Sequence, residues 1–178
     1  MTMSVDLKQR CQTIELLLAD VDGVMTDGGI ILDSQGIETK RFHIRDGMGI
    51  RLWHKAGYRF GLITGRSSHM VKIRAAELGI DILRQGIDDK LDALRQILRE
   101  LGLAARSVCY VGDDLPDLPV VRSVGLGVAV ADACDELRAA AHWTTSSRGG
   151  QGAVRETIEL ILRHQQRWDD VIQAYTSK

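Results

Sequence analysis

Short apolar runs alternate with longer amphipathic stretches over most of this chain. The first run, IELLLAD at residues 14–20, is mainly apolar before its acidic end, which is typical of a strand buried on both faces of a sheet. From Asp46 onward the pattern predicts helices at residues 47–56, 67–78, 88–101, 118–121 and after Ala133, with strands at residues 58–64, 80–84, 107–111 and 125–130. This order predicts an α/β fold, in which helices flank a Rossmann-like, mostly parallel sheet.

Two segments stand outside the alternation. Residues 28–44 contain two β-rich pieces around Ser34-Gln35-Gly36, which predicts a projecting β-hairpin that is too short to be a separate cap domain. Near the end, residues 142–145 predict an edge strand before a glycine-rich loop, and one closing helix is predicted at residues 152–174. The residues that predict its apolar stripe are Val154, Ile158, Ile161, Gln165, Trp168 and Ile172.

Composition narrows the class of protein. The chain has 178 residues, of which 44% are hydrophobic and 26% charged, so we expect one compact domain over residues 1–178. A net charge of −1 without a basic stripe argues against nucleic acid or anionic lipid as a partner. Three cysteines without a CxxC spacing favour neither disulfides nor zinc. Without a signal-like start or a membrane-length apolar run, we expect a cytoplasmic protein.

Two carboxylates follow the first predicted strand. Asp20 and Asp22 lie where open α/β sheets place their ligand sites, and Gly23 permits a tight backbone turn after them. Carboxylates with this spacing can divide the work of phosphoryl transfer, one attacking phosphorus and the other carrying a proton. A pair of turn or capping residues is the structural alternative.

Thr64, Arg66 and Lys90 are candidate phosphate ligands. Thr64 and Arg66 follow another predicted strand and enter a helix, where a hydroxyl, backbone N–H groups and a guanidinium can bind an anion. Lys90 starts a later helix and can offset negative charge on a carboxylate and a phosphate. The alternatives are an ordinary helix cap and solvated basic side chains.

A third acidic group follows the strand at residues 107–111. In the segment GDDLPD, Asp113, Asp114 and Asp117 offer the hard oxygen ligands that Mg²⁺ prefers. Magnesium commonly binds one or two carboxylates together with substrate phosphate, so Asp20 and Asp113 suffice as direct ligands. A polar loop that caps the next helix is the alternative.

In this order, DVDG at Asp20, Thr64, Lys90 and GDDLPD at Asp113 resemble the four motifs of haloacid dehalogenase superfamily phosphatases. The resemblance implies that Asp20 is the nucleophile, Asp22 the acid and base, and Thr64 and Lys90 the groups that position the phosphoryl. It also implies Mg²⁺ bound by the carboxylates of Asp20 and Asp113 and the backbone carbonyl of Asp22, with Asp114 and Asp117 orienting the site.

The segments FHIRDGMGI, ITGR, QGIDDK, VGLGVAVADA and RGGQGAVRE extend the resemblance to the ulosonate phosphate phosphatases of that superfamily. It implies hydrolysis of the sugar phosphate 3-deoxy-D-manno-octulosonate 8-phosphate in lipopolysaccharide synthesis; a nine-carbon ulosonate 9-phosphate stays open as the substrate. The implied substrate contacts are Asp22, His43, Ile44, Arg45, Asp46, Gly47, Arg66, Arg74 and Lys90. Arg66 and Arg74 are eight residues apart, which predicts one helix face that binds the anionic substrate; a solvated Arg74 is the alternative.

The hairpin and the order of the motifs also bear on the assembly of the protein and on two competing functions. The resemblance implies a homotetramer in which the hairpins pack together and neighbouring subunits cover each active site. Two other functions share parts of this pattern. A phospho-receiver module is disfavoured because Lys90 precedes the GDD segment, and a non-catalytic assembly domain is disfavoured because the motifs are intact. The glycine-rich loop at residues 148–152 has two possible roles. Because glycine permits close backbone approach, the loop could contact a ligand or a neighbouring subunit; the alternative is an ordinary surface loop.

Overall fold

The computed structural model describes residues 5–177, so residues 1–4 and 178 of the predicted domain lie outside it. The strands are β1 (Leu16–Ala19), β2 (Ile31–Leu32), β3 (Glu38–Thr39), β4 (Arg59–Thr64), β5 (Ile82–Gln85), β6 (Val108–Gly112), β7 (Leu126–Ala129) and β8 (Trp143–Thr144). The helices are α1 (Val5–Gln12), α2 (Ile44–Lys55), α3 (His69–Leu78), α4 (Lys90–Leu101), α5 (Leu118–Val121), α6 (Asp135–Ala140), α7 (Ala153–His164) and α8 (Trp168–Thr176).

Six strands form one parallel sheet in the order β5-β4-β1-β6-β7-β8, which confirms the predicted fold class. All four residues of β1 are buried, as expected of a central strand with helices on both faces. The carboxyl ends of β1, β4 and β6 lie side by side because these strands are neighbours and parallel. Among residues 5–177, no helix has both the length and the apolar character needed to cross a bilayer.

The hairpin β2–β3 is a separate antiparallel pair whose register joins Ile31 to Thr39 and Leu32 to Glu38. Its strands are shorter than the predicted β-rich pieces, and α2 begins at Ile44, three residues before the predicted start. His43 therefore lies at the N-terminal end of a helix rather than in an extended arm.

The prediction of one closing helix at residues 152–174 is wrong, since α7 and α8 are separate helices. Gln166 adopts a left-handed backbone conformation, with φ of 58°, which ends the first helix. The side chain of Gln165, which the pattern placed in the apolar stripe, donates to the carbonyl oxygens of Cys11 and Ile14, each at 2.9 Å. These bonds tie the end of α7 to the last turn of α1 and to the residues just after it; the apolar pattern did not predict this N-terminal helix.

Candidate active site

Asp20 follows β1 directly, and its backbone N–H donates to the carbonyl of Val111 in β6 at 3.0 Å. This bond extends the sheet ladder by one residue and fixes the direction of the side chain. One carboxylate oxygen accepts from the N–H of Val21 at 2.7 Å, and the other lies 2.8 Å from Nζ of Lys90. Asp20 is buried, with 8% of its surface exposed at the floor of a cleft.

Lys90 lies at the start of α4, whose first turn is capped by Asp89. Its Nζ lies 2.7 Å from Oδ1 of Asp117 as well as 2.8 Å from Oδ2 of Asp20. Burial by itself lowers the pKa of Lys90, but the two carboxylates outweigh burial and raise that pKa. Lys90 is therefore a fixed positive charge beside Asp20.

Asp117 organises the far wall of the cleft. Its Oδ1 accepts from the hydroxyl of Tyr110 at 2.6 Å and from Lys90, and its Oδ2 accepts from the N–H of Asp113 at 3.0 Å. Both oxygens thus have strong donors inside the protein. This placement agrees with an orienting role for Asp117 and leaves Asp113 as the freer carboxylate.

Asp20, Asp113 and Asp117 each place a carboxylate oxygen within 4.8 Å of the others. Burial, aided by repulsion from neighbouring carboxylates, raises the pKa of Asp20 to about 6 and that of Asp113 to about 8. Oδ1 of Asp113 is buried and has no hydrogen-bond partner within residues 5–177. One lysine does not balance three carboxylates, so the cluster has the charge and the open oxygen that suit a divalent cation.

Gly23 brings the loop after β1 against Asp113. Its φ is +92°, and a Cβ at this position would lie 2.1 Å from Oδ2 of Asp113. Any side chain here is excluded by both the backbone conformation and the space. The backbone after Asp22 can therefore approach the acidic cluster closely.

Thr64 ends β4 and is buried, while Arg66 lies in the turn before α3 with its side chain 47% exposed. The N–H of Arg66 lies 3.4 Å from Oγ1 of Thr64. The expectation that Arg66 and Arg74 share one helix face is wrong for Arg66, because α3 begins only at His69 after Ser68. Thr64 and Arg66 nevertheless both line the cleft that contains Asp20.

Asp22 forms an ion pair with Lys40, which lies just after β3 and was not identified from the sequence. Lys40 is also 3.4 Å from Glu38, and Glu38 accepts from Arg66 at 3.0 Å. The second oxygen of Asp22 has no hydrogen bond within the described chain and lies 3.8 Å from Nε of Arg66. The return arm of the hairpin thus places charged groups against Asp22 and Arg66, which line the cleft.

The sequence did contain a signal for these residues. Glu38 and Lys40 are two positions apart in an extended segment, so their side chains leave the same side of the strand. Ser68, which donates to Glu38, and Tyr110 were also missed. Their sequence contexts gave no functional signal, because Ser68 fits an ordinary helix cap and Tyr110 fits a packed residue of a buried strand.

Most of the predicted residues meet in one cleft. Its lining includes Asp20, Asp22, Thr64, Arg66, Lys90, Asp113, Asp114 and Asp117. Ile44 and Arg74 instead line a neighbouring hollow with Lys40 and Phe42, where the guanidinium of Arg74 lies 5.8 Å from the Phe42 ring centre. Arg45 lines a third cavity beside Arg155.

Two members of the predicted substrate segment point into the protein. Asp46 is fully buried and accepts from the N–H groups of Gly152 and Arg155 at 3.2 and 2.8 Å. Gly47 is buried beneath Arg74, whose Nη2 would lie 2.3 Å from a Cβ at that position. Nδ1 of His43 is 4.0 Å from Asp46 and has no hydrogen-bond partner among the described residues.

The residues that line the cleft have the chemical groups needed for phosphoryl transfer. A buried carboxylate on Asp20 lies beside a cation and a hydroxyl that can bind phosphoryl oxygens, and Asp22 keeps one oxygen free of hydrogen bonds within residues 5–177. Groups that could serve as nucleophile, proton carrier and positive charge therefore share one cleft, as in-line phosphoryl transfer requires.

Known proteins resemble both the sequence and the fold. Residues 73–158 match the family model of haloacid dehalogenase-like hydrolases. The 3-deoxy-D-manno-octulosonate 8-phosphate phosphatase KdsC of Yersinia pestis is 48% identical over 162 residues, which cover 91% of this chain and 87% of that protein. Solved structures resemble the fold as well. One is a crystal structure of 3-deoxy-D-manno-octulosonate 8-phosphate phosphatase from Moraxella catarrhalis in complex with magnesium ion, phosphate ion and a KDO molecule. It is 44% identical with a TM-score of 0.96, and the match covers 98% of this chain and 100% of the other. A probable YrbI family phosphatase from Pseudomonas syringae is 46% identical with a TM-score of 0.95, covering 97% and 98%.

Proposed function

Since the chain belongs to the haloacid dehalogenase-like hydrolases, we propose that it is a magnesium-dependent phosphatase that hydrolyses 3-deoxy-D-manno-octulosonate 8-phosphate. The observation that carries the reaction type is the placement of Asp20. Its carboxylate lies 2.8 Å from Lys90, in one cleft with Thr64 and Asp113. This set combines a nucleophile with groups that neutralise and hold a phosphoryl group.

In the first step, a carboxylate oxygen of Asp20 attacks phosphorus and the bond from phosphorus to the sugar oxygen breaks. Asp22 gives its proton to the departing sugar oxygen, so the sugar leaves as an alcohol. Water then attacks phosphorus of the aspartyl-phosphate, Asp22 accepts a proton from that water, and inorganic phosphate leaves with Asp20 restored. Asp22 suits this role because it lines the cleft and keeps one oxygen without a hydrogen bond within residues 5–177, while Lys40 holds the other.

Lys90, Thr64 and Arg66 bind the transferring group. Lys90 offsets charge on Asp20 and on the phosphoryl oxygens, and Thr64 offers a hydroxyl at the end of β4. Arg66 reaches over the cleft mouth from a position that Glu38 holds at 3.0 Å. Together these residues align the phosphorus with the attacking oxygen.

The residues present fit a magnesium ion. The carboxylates of Asp20 and Asp113 and the backbone carbonyl of Asp22 would hold it, with Asp114 and Asp117 orienting the site. The buried oxygen of Asp113 that lacks a partner within residues 5–177, together with the excess of negative charge, supports this assignment. When bound, Mg²⁺ neutralises charge on the carboxylates and the phosphate.

The substrate proposal is supported by a second basic position. Arg74 lies in the hollow next to the cleft, and its Nε has no hydrogen-bond partner in the described structure. Lys40 lines that hollow and pairs with Asp22, so it lies between the two. A substrate with a phosphate at one end and a carboxylate at the other matches this separation of positive charges. A nine-carbon ulosonate 9-phosphate carries the same two groups and is the second candidate.

The same proposal places the product in lipopolysaccharide synthesis and the protein in the cytoplasm. It also includes a homotetramer built through the hairpins. Four large apolar side chains of the hairpin region are more than half exposed, namely Ile30, Ile31, Leu32 and Ile37. A two-stranded hairpin is marginal by itself, so packing against copies of itself would bury this surface.

Phosphate release tests the proposal. The protein is incubated with a panel of sugar phosphates that includes the eight- and nine-carbon ulosonate phosphates, with magnesium and with excess chelator. We expect magnesium-dependent release with preference for 3-deoxy-D-manno-octulosonate 8-phosphate. Preference for the nine-carbon compound would replace the substrate, and absence of release from every compound would overturn the catalytic proposal.

A further inference from the structure

Asp46 caps a helix that it does not belong to. It lies in the first turn of α2, while its two carboxylate oxygens accept from the N–H groups of Gly152 and Arg155 at the start of α7. The first N–H groups of a helix have no partner within it, and Gly152 has no side chain to supply one. Asp46 therefore fixes the end of the glycine-rich loop at residues 146–152.

The glycine-rich loop packs closely against the backbone that follows the proposed catalytic residues Asp20 and Asp22. The N–H of Gly150 donates to the carbonyl of Val24 at 2.8 Å. A Cβ on Gly149 would lie 1.7 Å from the carbonyl oxygen of Gly23, and a Cβ on Gly150 would lie 2.4 Å from the backbone N of Asp27. The two backbones touch because both loop positions are glycine.

Gly23 itself lies against the acidic cluster, since a Cβ at this position would lie 2.1 Å from Oδ2 of Asp113. The contacts therefore run without a gap from Asp46 through the start of α7 and Gly150 to Gly23 and Asp113. No hydrogen bond of Asp46 within residues 5–177 is directed at the cleft.

We propose that Asp46 is a positioning residue, which acts through the glycine-rich loop to fix the backbone after Asp22 against Asp113. The loop at residues 148–152 is then a brace for the reaction centre, and the side chain of Asp46 is not a substrate contact. The kinetic readout of this inference rests on the proposed function, whereas its structural readout does not.

The kinetic test uses Asp46→Asn, which keeps the size of the side chain and turns one acceptor into a donor facing an N–H group. We expect kcat to fall by about 10- to 100-fold, as for other small displacements of catalytic groups, with KM nearly unchanged. Gly150→Ala, which forces the two backbones apart, should give the same pattern. An Ile97→Val variant in the core of α4 controls for lost stability and should keep its kcat. A raised KM with unchanged kcat in Asp46→Asn would identify a substrate contact and overturn the proposal.

The structural test is hydrogen exchange at the amide of Gly150. Asp46→Asn should exchange this amide about 10-fold faster than the wild-type protein or more, because the loop opens locally, while amides in the core of β6 keep their rates. Unchanged exchange at Gly150 would overturn the brace, even if the protein hydrolysed no phosphate ester. If Asp46→Asn does not fold, the same comparison with Gly150→Ala, measured at the amide of Gln151, which donates to Arg148, decides the question.

Discussion

Lys40 forms an ion pair with Asp22, and the pair joins the hairpin to the reaction centre. The Lys40 side chain is only 2% exposed, although it follows a strand of two residues. A buried ammonium group requires a partner, and Asp22 with Glu38 provides it. The position of the hairpin arm and the orientation of Asp22 are therefore set by the same contact.

Replacing Lys40 by Met should lower both activity and stability. The change leaves Asp22 without its cation, and we expect the free energy of unfolding to fall by about 1–3 kcal/mol. We also expect kcat to fall by at least about 10-fold, because the orientation of Asp22 is lost. Urea unfolding and steady-state phosphate release measure the two effects. The matched control is Lys72→Met on the exposed side of α3, and equal results for both variants would remove Lys40 from the site.

Replacing Asp20 by Asn should abolish turnover while the protein stays folded. An amide is too weak a nucleophile to form the acyl phosphate, so we expect kcat to fall by more than about 1,000-fold. Phosphate release and the thermal midpoint are measured together. Asp81→Asn, at an exposed position just before β5, is the control. Normal turnover in Asp20→Asn would exclude Asp20 as the nucleophile.

Stability of the metal-free protein should fall as pH rises. Burial and neighbouring carboxylates raise the pKa of Asp20 to about 6 and that of Asp113 to about 8, whereas an unfolded Asp titrates near 3.9. Between about pH 4 and pH 8 the folded state thus holds more protons than the unfolded state, so the free energy of unfolding decreases over this range.

Urea unfolding in chelator at pH 5 and pH 8 measures this dependence. Asp113→Asn cannot ionise at that position and should lose less stability between the two pH values than the wild-type protein. Added magnesium should raise the thermal midpoint more at pH 8 than at pH 5, since it competes with protons for the same oxygens. A wild-type protein that loses no more stability than Asp113→Asn would contradict the raised pKa.

The residues that meet in the cleft were predictable because each stands at the end of a strand or helix that the hydrophobic pattern alone identifies. Asp20, Thr64 and Asp113 meet in the structure since β1, β4 and β6 are adjacent and parallel. Lys40 was missed because its partner lies across a hairpin whose path no local pattern specifies. The inward direction of the Asp46 side chain, which was predicted to contact substrate, could not be foreseen because the earlier start of α2 is not visible in the apolar spacing.

The predicted closing helix at residues 152–174 also failed because a non-local contact decides the structure. Apolar spacing continues across residues 165–167, so a single helix is the natural prediction. What interrupts it is non-local: Gln165 bonds to the carbonyl groups near the end of α1, and the chain turns at Gln166. Apolar periodicity indicates which residues of a helix are buried, but it cannot indicate that Gln165 bonds to another segment of the chain.

The proposed tetramer should depend on the apolar side chains of the hairpin. Ile31→Asp places a charge where neighbouring hairpins would pack, so we expect light scattering to change from four times the 19.7 kDa chain mass to a smaller species. Gln35→Asp adds the same charge at the hairpin turn without removing apolar surface and should keep the wild-type mass. A wild-type protein that is monomeric at micromolar concentration would overturn the tetramer.

The contact of Gly150 with Val24 also sets an order of events during folding. These residues are 126 positions apart, and the glycine-rich loop follows all of the parallel strands in the chain. During synthesis from the N-terminus, the segment after Asp22 is made early but gains its contact with the glycine-rich loop only once residue 150 has been made. The reaction centre is therefore completed late, after the sheet that supports it, so a chain stalled before residue 150 can form the strands without forming a finished site.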